Sequence, residues 1–394
     1  MRVSVQNSRV VAYYGLDEGF KLLHDAGFQG VDFNLNNWFS AAMIRADEPA
    51  PMDQPLEALY EVFRPYKEAA ERQHMVVSQT HSPFPSWLPE KDALNARVLE
   101  GQKKTIALTA YLGSKYCVIH PAFHPDSTKR LSAKEEWELN RDMYSALIPA
   151  LREHHVVVCL ENMFTGGTEG MRYAAVCSDF HQAAEGIDRL NDIAGEELFG
   201  FCFDAGHCLL TGQNMRYSLN VIGKRLKVLH INDNDGHTDW HVAPYMGVGN
   251  WEAFIDGLRD IGYDGDLSFE TFNVLNRYPE QPCGALIRQG VHMMKGHLWE
   301  GLWLQVSFLG WLIAAGLVSW LLSLPFRFQP GVVASVFTIL VFPIPFLFVA
   351  AYRSVTNLLF CQYAEDSSRL RDGQAPYAAY PDEEPFPSGW GTSA

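Results

Sequence analysis

The chain has 394 residues, 47% hydrophobic and 20% charged, with a formal net charge of −15 at pH 7. These proportions are those of a folded protein and exclude a wholly disordered chain. Residues 1–300 carry 40 Asp and Glu against 27 Lys and Arg. A surface this acidic repels phosphate backbones, so small neutral or singly charged substrates are the expected partners and nucleic acid is an unlikely one.

In chain order, the N-terminus opens on a strand pattern at Arg2–Val5, which leaves no room for a leader peptide. Further strand-like runs fall at Val31–Leu35, Val76–His81, Tyr116–His120, Val156–Glu161, Phe199–Asp204, Lys227–Asn232 and Asp266–Thr271. Amphipathic stretches of helical length lie between them, including Leu16–Ala26, Leu56–Gln73, Ala93–Tyr111, Ala133–His154 and Trp251–Ile261. Eight strands, each followed by a helix, predict an α/β fold of the (β/α)8 TIM-barrel type over residues 1–298. The competing architecture is a doubly wound open sheet, which places its site at a switch point between two strands. Here polar residues end strands three through eight, which favours the closed barrel. The seven cysteines show no CxxC spacing, and Cys117, Cys159 and Cys202 lie in apolar runs as buried free thiols do. A reducing, cytoplasmic setting is therefore expected.

After Glu300 the composition changes. Residues 301–325 and 331–352 contain no charged side chain, and each run exceeds the roughly 20 residues needed to cross a bilayer. Two transmembrane helices are expected over 301–352, with Pro343 and Pro345 tolerated in the second. Lys295 and Arg353 on one side against Arg327 on the other favour a cytoplasmic barrel anchored to the inner membrane. The polar residues 362–394 are expected to be a disordered tail. Through Val306-Ser307-Phe308-Leu309-Gly310-Trp311, the hairpin resembles the last two helices of an uncharacterised bacterial multi-pass membrane family. The join at 297–301 has the look of a fusion of unrelated parts.

Nine metal-ligand types punctuate the strand ends: His81, His120, Glu161, Asp204, His207, His230, Asp239, His241 and Glu270. Buried carboxylates and imidazoles require compensation of charge or hydrogen-bonding capacity. A lone strand-end histidine is usually a hydrogen-bonded rim residue, and Asp204 alone would be read as a helix cap. Seven such residues ending six consecutive strands are instead expected to build a metal site at the C-terminal mouth. Glu161, Asp204, His230 and Glu270 offer three carboxylates and one imidazole, a set suited to Mn²⁺, Co²⁺ or Mg²⁺ and able to hold Zn²⁺. His81, His120, His207, Asp239 and His241 are possible additional ligands or substrate contacts, richer in nitrogen and more congenial to zinc. Trp38, Phe84 and Trp87 are candidates for stacking on a substrate or for plain loop packing. Gly247-x-Gly249 reads as a tight turn, since a glycine pair without the longer fingerprint does not indicate a nucleotide. Lys103 and Lys104 read as a solvated helix face.

The ordered motifs THSPF (80–84), VIHPAF (118–123), LEN (160–162), FDAGH (203–207), HINDN (230–234), DWHVAPYMGVGNWEAF (239–254) and SFET (268–271) resemble the xylose isomerase-like barrel superfamily. That superfamily includes sugar and sugar-phosphate isomerases and epimerases and endonuclease IV, and the resemblance spans residues 1–298. It implies that Glu161, Asp204, His230 and Glu270 hold one divalent ion, that the two glutamates also move protons, and that His207 contacts substrate. For the nuclease branch it implies that all nine residues ligate a three-zinc cluster.

The expected activity is isomerisation or epimerisation of a sugar or sugar phosphate through an enediolate. One of Glu161 and Glu270 removes the proton alpha to the carbonyl and the other returns one. The alternative is zinc-dependent cleavage at abasic DNA sites, disfavoured by the acidic barrel and the lack of a basic loop. A non-catalytic, membrane-tethered sugar-binding barrel is a third reading, against which stands the presence of both glutamates.

Overall fold

The computed structural model describes residues 1–124, 126–166 and 171–273. The chain divides into compact units at Met1–Arg277 and Tyr278–Ala394, and the described residues belong to the first. Eight parallel strands form one sheet: β1 (Val3–Gln6), β2 (Gly30–Asn34), β3 (Val76–His81), β4 (Tyr116–Val118), β5 (Val157–Glu161), β8 (Phe199–Asp204), β9 (Leu226–His230) and β10 (Leu267–Phe269). Strand β10 pairs with β1 through Val3–Leu267 and Val5–Phe269. On its other edge, Ile231 bridges to Phe269, with Ile231 N–H donating to Ser268 O at 2.8 Å and Glu270 N–H to Ile231 O at 3.1 Å. The sheet therefore closes on itself, and the barrel expectation holds.

A two-stranded antiparallel hairpin, β6 (Phe164–Gly166) and β7 (Arg172–Ala174), follows β5 at the mouth. Helices α1 (Ser8–Tyr14), α2 (Leu16–Asp25), α3 (Ala41–Ala46), α4 (Leu56–Arg72), α5 (Asp92–Tyr111), α6 (Ala133–Ser145), α7 (Ile148–His154), α8 (Phe180–Ala194), α9 (Ala205–Leu210), α10 (Met215–Ile222) and α11 (Trp251–Asp260) surround the barrel.

Several boundaries differ from the sequence reading. The helix expected over Ala133–His154 breaks into α6 and α7, because Pro149 in the first turn of α7 cannot donate to the preceding turn and crowds it. Strand β4 ends at Val118 rather than His120, and β10 ends at Phe269 rather than Thr271, so His120 and Glu270 sit just past their strands. The membrane hairpin expected over 301–352 and the tail over 362–394 lie outside the described residues. The hairpin gains no support here, and no helix among the described residues is long and apolar enough to cross a membrane.

Strand alternation divides the buried residues between two cores. Outward positions such as Val158, Leu160, Phe199, Phe201 and Phe203 pack beneath the helices. Inward positions form a small apolar plug, Val118, Val157, Cys159, Cys202 and Val228. One pleat higher on the same face come Glu161, Asp204 and His230. A polar layer thus rests on an apolar floor at the C-terminal mouth, where barrel enzymes place their sites.

Candidate metal centre

All nine sequence-predicted ligands converge in that layer. Four of the five imidazoles have one nitrogen beside an acceptor outside the cluster. His81 Nδ1 lies 2.8 Å from Ser82 O, His207 Nδ1 2.8 Å from Asn162 O, and His241 Nδ1 3.1 Å from Glu270 O. His230 Nε2 stands 3.3 Å from Asp32 Oδ2. In His81, His207 and His241, a ring nitrogen that donates to a backbone carbonyl leaves the other nitrogen facing inward, the arrangement a metal-binding histidine requires, whereas His230 Nε2 only lies near the Asp32 carboxylate.

The inward atoms fall into three groups. His230 Nδ1 lies 3.2 Å from Glu161 Oε1, 3.6 Å from Glu270 Oε2 and 3.9 Å from Asp204 Oδ2. Nε2 of His120 and of His81 lie 3.0 and 3.7 Å from Glu161 Oε2, and 2.9 Å from each other. Asp239 Oδ2 lies 2.9 Å from His241 Nε2 and 3.9 Å from His207 Nε2.

These donors fit a cation. Glu161 Oε2, His230 Nδ1 and Asp239 Oδ1 are buried without a hydrogen-bond partner, a costly condition unless another group completes them. His81 Nε2 and His120 Nε2 lie 2.9 Å apart as a hydrogen-bonded pair, whose shared proton a cation could replace. Four triplets drawn from these residues have their ligand atoms mutually within 4.8 Å, for example Asp204, His230 and Glu270, or His207, Asp239 and His241.

Without metal, the charges settle by pairing. Burial opposes ionisation of Glu161, but His230 and His120 beside it hold its carboxyl well below the usual range. Glu270 is likewise resisted by burial and drawn down to about 2 by His230 and His241. Burial raises Asp204 to about 6, with the like charges of Glu161 and Glu270 adding to the rise. His230 and His241 are raised well above an ordinary histidine, because Glu270 and its neighbouring carboxylates outweigh desolvation. His120 alone among the five is lowered, by burial.

Several contributors escaped the sequence reading. Asp32 is fully buried in the barrel lumen, where Gln79 Nε2 donates to Oδ2 at 3.0 Å. Its signal was available: an ionisable residue inside the apolar run Val31–Leu35. Asn162 pins the β5–β8 pair, its Nδ2 donating to Asp204 O and its Oδ1 accepting from Asp204 N–H, at 2.9 and 2.8 Å. Asn232 Nδ2 reaches Asp204 Oδ2 at 3.1 Å. Gly206 must be glycine, because a Cβ there would stand 1.8 Å from Asn232 Oδ1.

Asp233 organises the loop that carries Asp239 and His241. Its carboxylate accepts from Gly247 N–H, Gly249 N–H and Trp251 Nε1 at 3.0–3.1 Å. Those amides are thus committed to the turn, as the sequence reading expected. Asp204 is also the cap of α9, accepting from His207 N–H at 2.7 Å, so the cap and the ligand are one residue. Trp38 packs with Phe33, Phe63 and Tyr66 and is structural. Phe84 meets the His120 ring at 4.9 Å, and Trp87 is half-buried in the same loop. Lys103 pairs with Glu100, but Lys104 donates to Met52, Asp53 and Gln54 carbonyls, which corrects its reading as a merely solvated lysine.

The position of Asp32 carries a prediction. With its carboxylate beside Nε2, His230 presents Nδ1 to Glu161 and Glu270. Asp32→Asn removes that anion and should lower metal affinity about 10- to 100-fold, read by competition with a chromophoric chelator. Unchanged affinity would reduce Asp32 to a lumen filler.

Fold and site together define a parallel (β/α)8 barrel with a carboxylate–imidazole constellation able to hold divalent metal at its mouth. Residues 20–297 match the Xylose isomerase-like TIM barrel family, and the chain belongs to it. An uncharacterized protein of Methanocaldococcus jannaschii is 26% identical over 201 residues, 49% of this chain and 64% of that protein. A probable endonuclease 4 of Listeria innocua is 28% identical over 189 residues, 46% of this chain and 58% of that protein. The chain thus spans less than two thirds of the length of either relative.

Among solved structures, a D-tagatose 3-epimerase-like protein superposes with a TM-score of 0.54 at 18% identity, covering 77% of this chain and all of the other. The apo form of 3-keto-D-glucoside 4-epimerase from E. coli gives 0.54 at 16%, covering 75% and 99%. At these identities the likeness concerns the fold.

Proposed function

We propose that this chain is a divalent-metal-dependent enzyme that isomerises or epimerises a sugar or sugar phosphate by moving a proton between Glu161 and Glu270. One observation carries the reading: the carboxylates of Glu161, Asp204 and Glu270 converge on His230 Nδ1 at 3.2, 3.9 and 3.6 Å. This places two glutamates from well-separated strands around one cation-sized focus. A divalent cation held there supplies Lewis-acid stabilisation of the charge that develops on a carbonyl oxygen when the adjacent C–H ionises. Mn²⁺, Co²⁺, Mg²⁺ and Zn²⁺ all suit the central four donors.

Glu161, kept ionised by its imidazoles, takes the proton alpha to the carbonyl. Glu270 returns a proton on the other face and must first acquire one, since its own carboxyl is held ionised. His241 Nδ1, 3.4 Å from Glu270 Oε2, is placed to relay one. Gln6 Nε2 occupies Glu270 Oε1 at 3.1 Å, which leaves Oε2 for the exchange. His207, on the Asp239 side, is positioned to contact substrate.

Phosphodiester hydrolysis at abasic sites is the second reading. It is favoured by the donor sets His81–Glu161–His230 and His207–Asp239–His241, which give the centre capacity for more than one ion. The acidic barrel weighs against it.

The deciding experiment loads the full chain with each metal, determines stoichiometry by elemental analysis, and assays a panel of ketoses and ketose phosphates alongside an abasic-site duplex. Ketose turnover that disappears in Glu270→Gln is the expected result. Strand cleavage with three zincs and no ketose turnover would replace this proposal with the second reading.

A further inference from the structure

The β6–β7 hairpin places a cation at the rim of the metal layer. Its register pairs Phe164 with Ala174, Thr165 with Tyr173 and Gly166 with Arg172. Directly paired residues share a face and alternate residues oppose one another, so Phe164, Gly166 and Arg172 lie on one face. That face is the one turned to the site, because the Phe164 ring meets the His207 ring edge-on at 4.9 Å. The Arg172 guanidinium lies 5.7 Å from the same Phe164 ring. The two ring contacts hold the guanidinium on the His207 side of the hairpin.

Arg172 lacks what most arginines here have. Arg97 pairs with Asp53, Arg216 with Asp260 and Arg225 with Asp188. Arg172 has no ion-pair partner among the described residues, and its Nε is buried without a hydrogen-bond acceptor. A half-buried cation held by an aromatic face, with its Nε donor unused among the described residues, is arranged to receive an anion.

We propose that Arg172 binds a phosphate on the end of the substrate remote from the metal ligands, so that the preferred substrate is a phosphorylated sugar. This rests on the sugar reading of the site. A single arginine matches one terminal anion, whereas a nucleic-acid backbone requires several cations along its track. Phosphate also binds metals directly, and the test has to separate the two attachments.

Metal-loaded full-length protein is titrated calorimetrically with a ketopentose, its 5-phosphate and an abasic-site duplex, using wild type, R172M and R172K. Metal content of each variant is checked first. Wild type should bind the 5-phosphate about 10- to 100-fold more tightly than the neutral sugar. R172M should lose that preference while keeping its affinity for the neutral sugar, and R172K should keep part of it. Equal binding of the two sugars by wild type overturns the inference. A preference that survives in R172M also overturns it, because the phosphate then sits on the metals. Arg172-dependent binding of the duplex without a sugar-phosphate preference overturns it in favour of nucleic acid. Because binding is read without turnover, an Arg172-dependent preference in a protein that isomerises nothing would sink the proposed reaction and leave this assignment standing.

Discussion

Glu161→Gln should reduce turnover by about a thousandfold or more, combining the loss of a general base with loss of metal. No other side chain in the centre touches as many imidazoles. Oε1 lies 3.2 Å from His230 Nδ1 and 3.4 Å from His207 Nδ1, and Oε2 lies 3.0 Å from His120 Nε2 and 3.7 Å from His81 Nε2. A glutamine keeps the shape, but it removes the charge that a bound cation and the surrounding imidazoles pair with. The central group and the His81–His120 group lose their shared carboxylate together. Metal per chain should therefore fall along with the rate, measured by elemental analysis after gel filtration. Full metal occupancy with undiminished turnover would remove Glu161 from both roles.

The second large effect is the response of metal binding to pH. In the metal-free protein His230 and His241 hold their second proton well above the ordinary range. A metal must displace that proton, so apparent affinity should rise with pH until the raised values are passed. Each displaced proton contributes up to about tenfold per pH unit, hence about a hundredfold when both are displaced.

Stability in the absence of metal follows the opposite sign. The two histidines have folded values above their unfolded one, so their contribution is complete below about pH 6.5 and is lost as pH climbs through the raised values. Glu161 and Glu270 are depressed, and their contribution is lost only in acid, for Glu270 as pH falls toward about 2. The gap in melting temperature between metal-loaded and chelator-treated protein should therefore widen from pH 6 to pH 9. A gap that narrows over this range would show that these imidazoles do not ligate the ion.

Much of this centre is legible along the chain because strand alternation is a local rule. Once Val156–Glu161 reads as a strand with an apolar floor, Val157, Cys159 and Glu161 must share a face, and the same holds for Cys202 with Asp204 and Val228 with His230. Helix α4 and strands β3 and β8 are likewise visible in their periodicity. The break between α6 and α7 was foreshadowed by Pro149, whose cost inside a helix is local chemistry. Asp32 was visible as a charge in an apolar run, yet nothing in its neighbours says that it faces a histidine nearly two hundred residues away.

The sequence alone therefore determined that strands alternate with helices and that ligand-type residues end them, since backbone periodicity and the cost of burying charge act over a few residues. Only the tertiary structure decided which ligands share a group, which nitrogen each imidazole turns inward, and that Arg172 leans on Phe164 beside His207. Those outcomes depend on closing the barrel through Ile231 and Phe269, on Asp233 fastening a loop by its amides, and on the register of a short hairpin. In each, from the local hairpin to the strand pairing that closes the barrel, geometry selects among pairings that composition leaves equivalent.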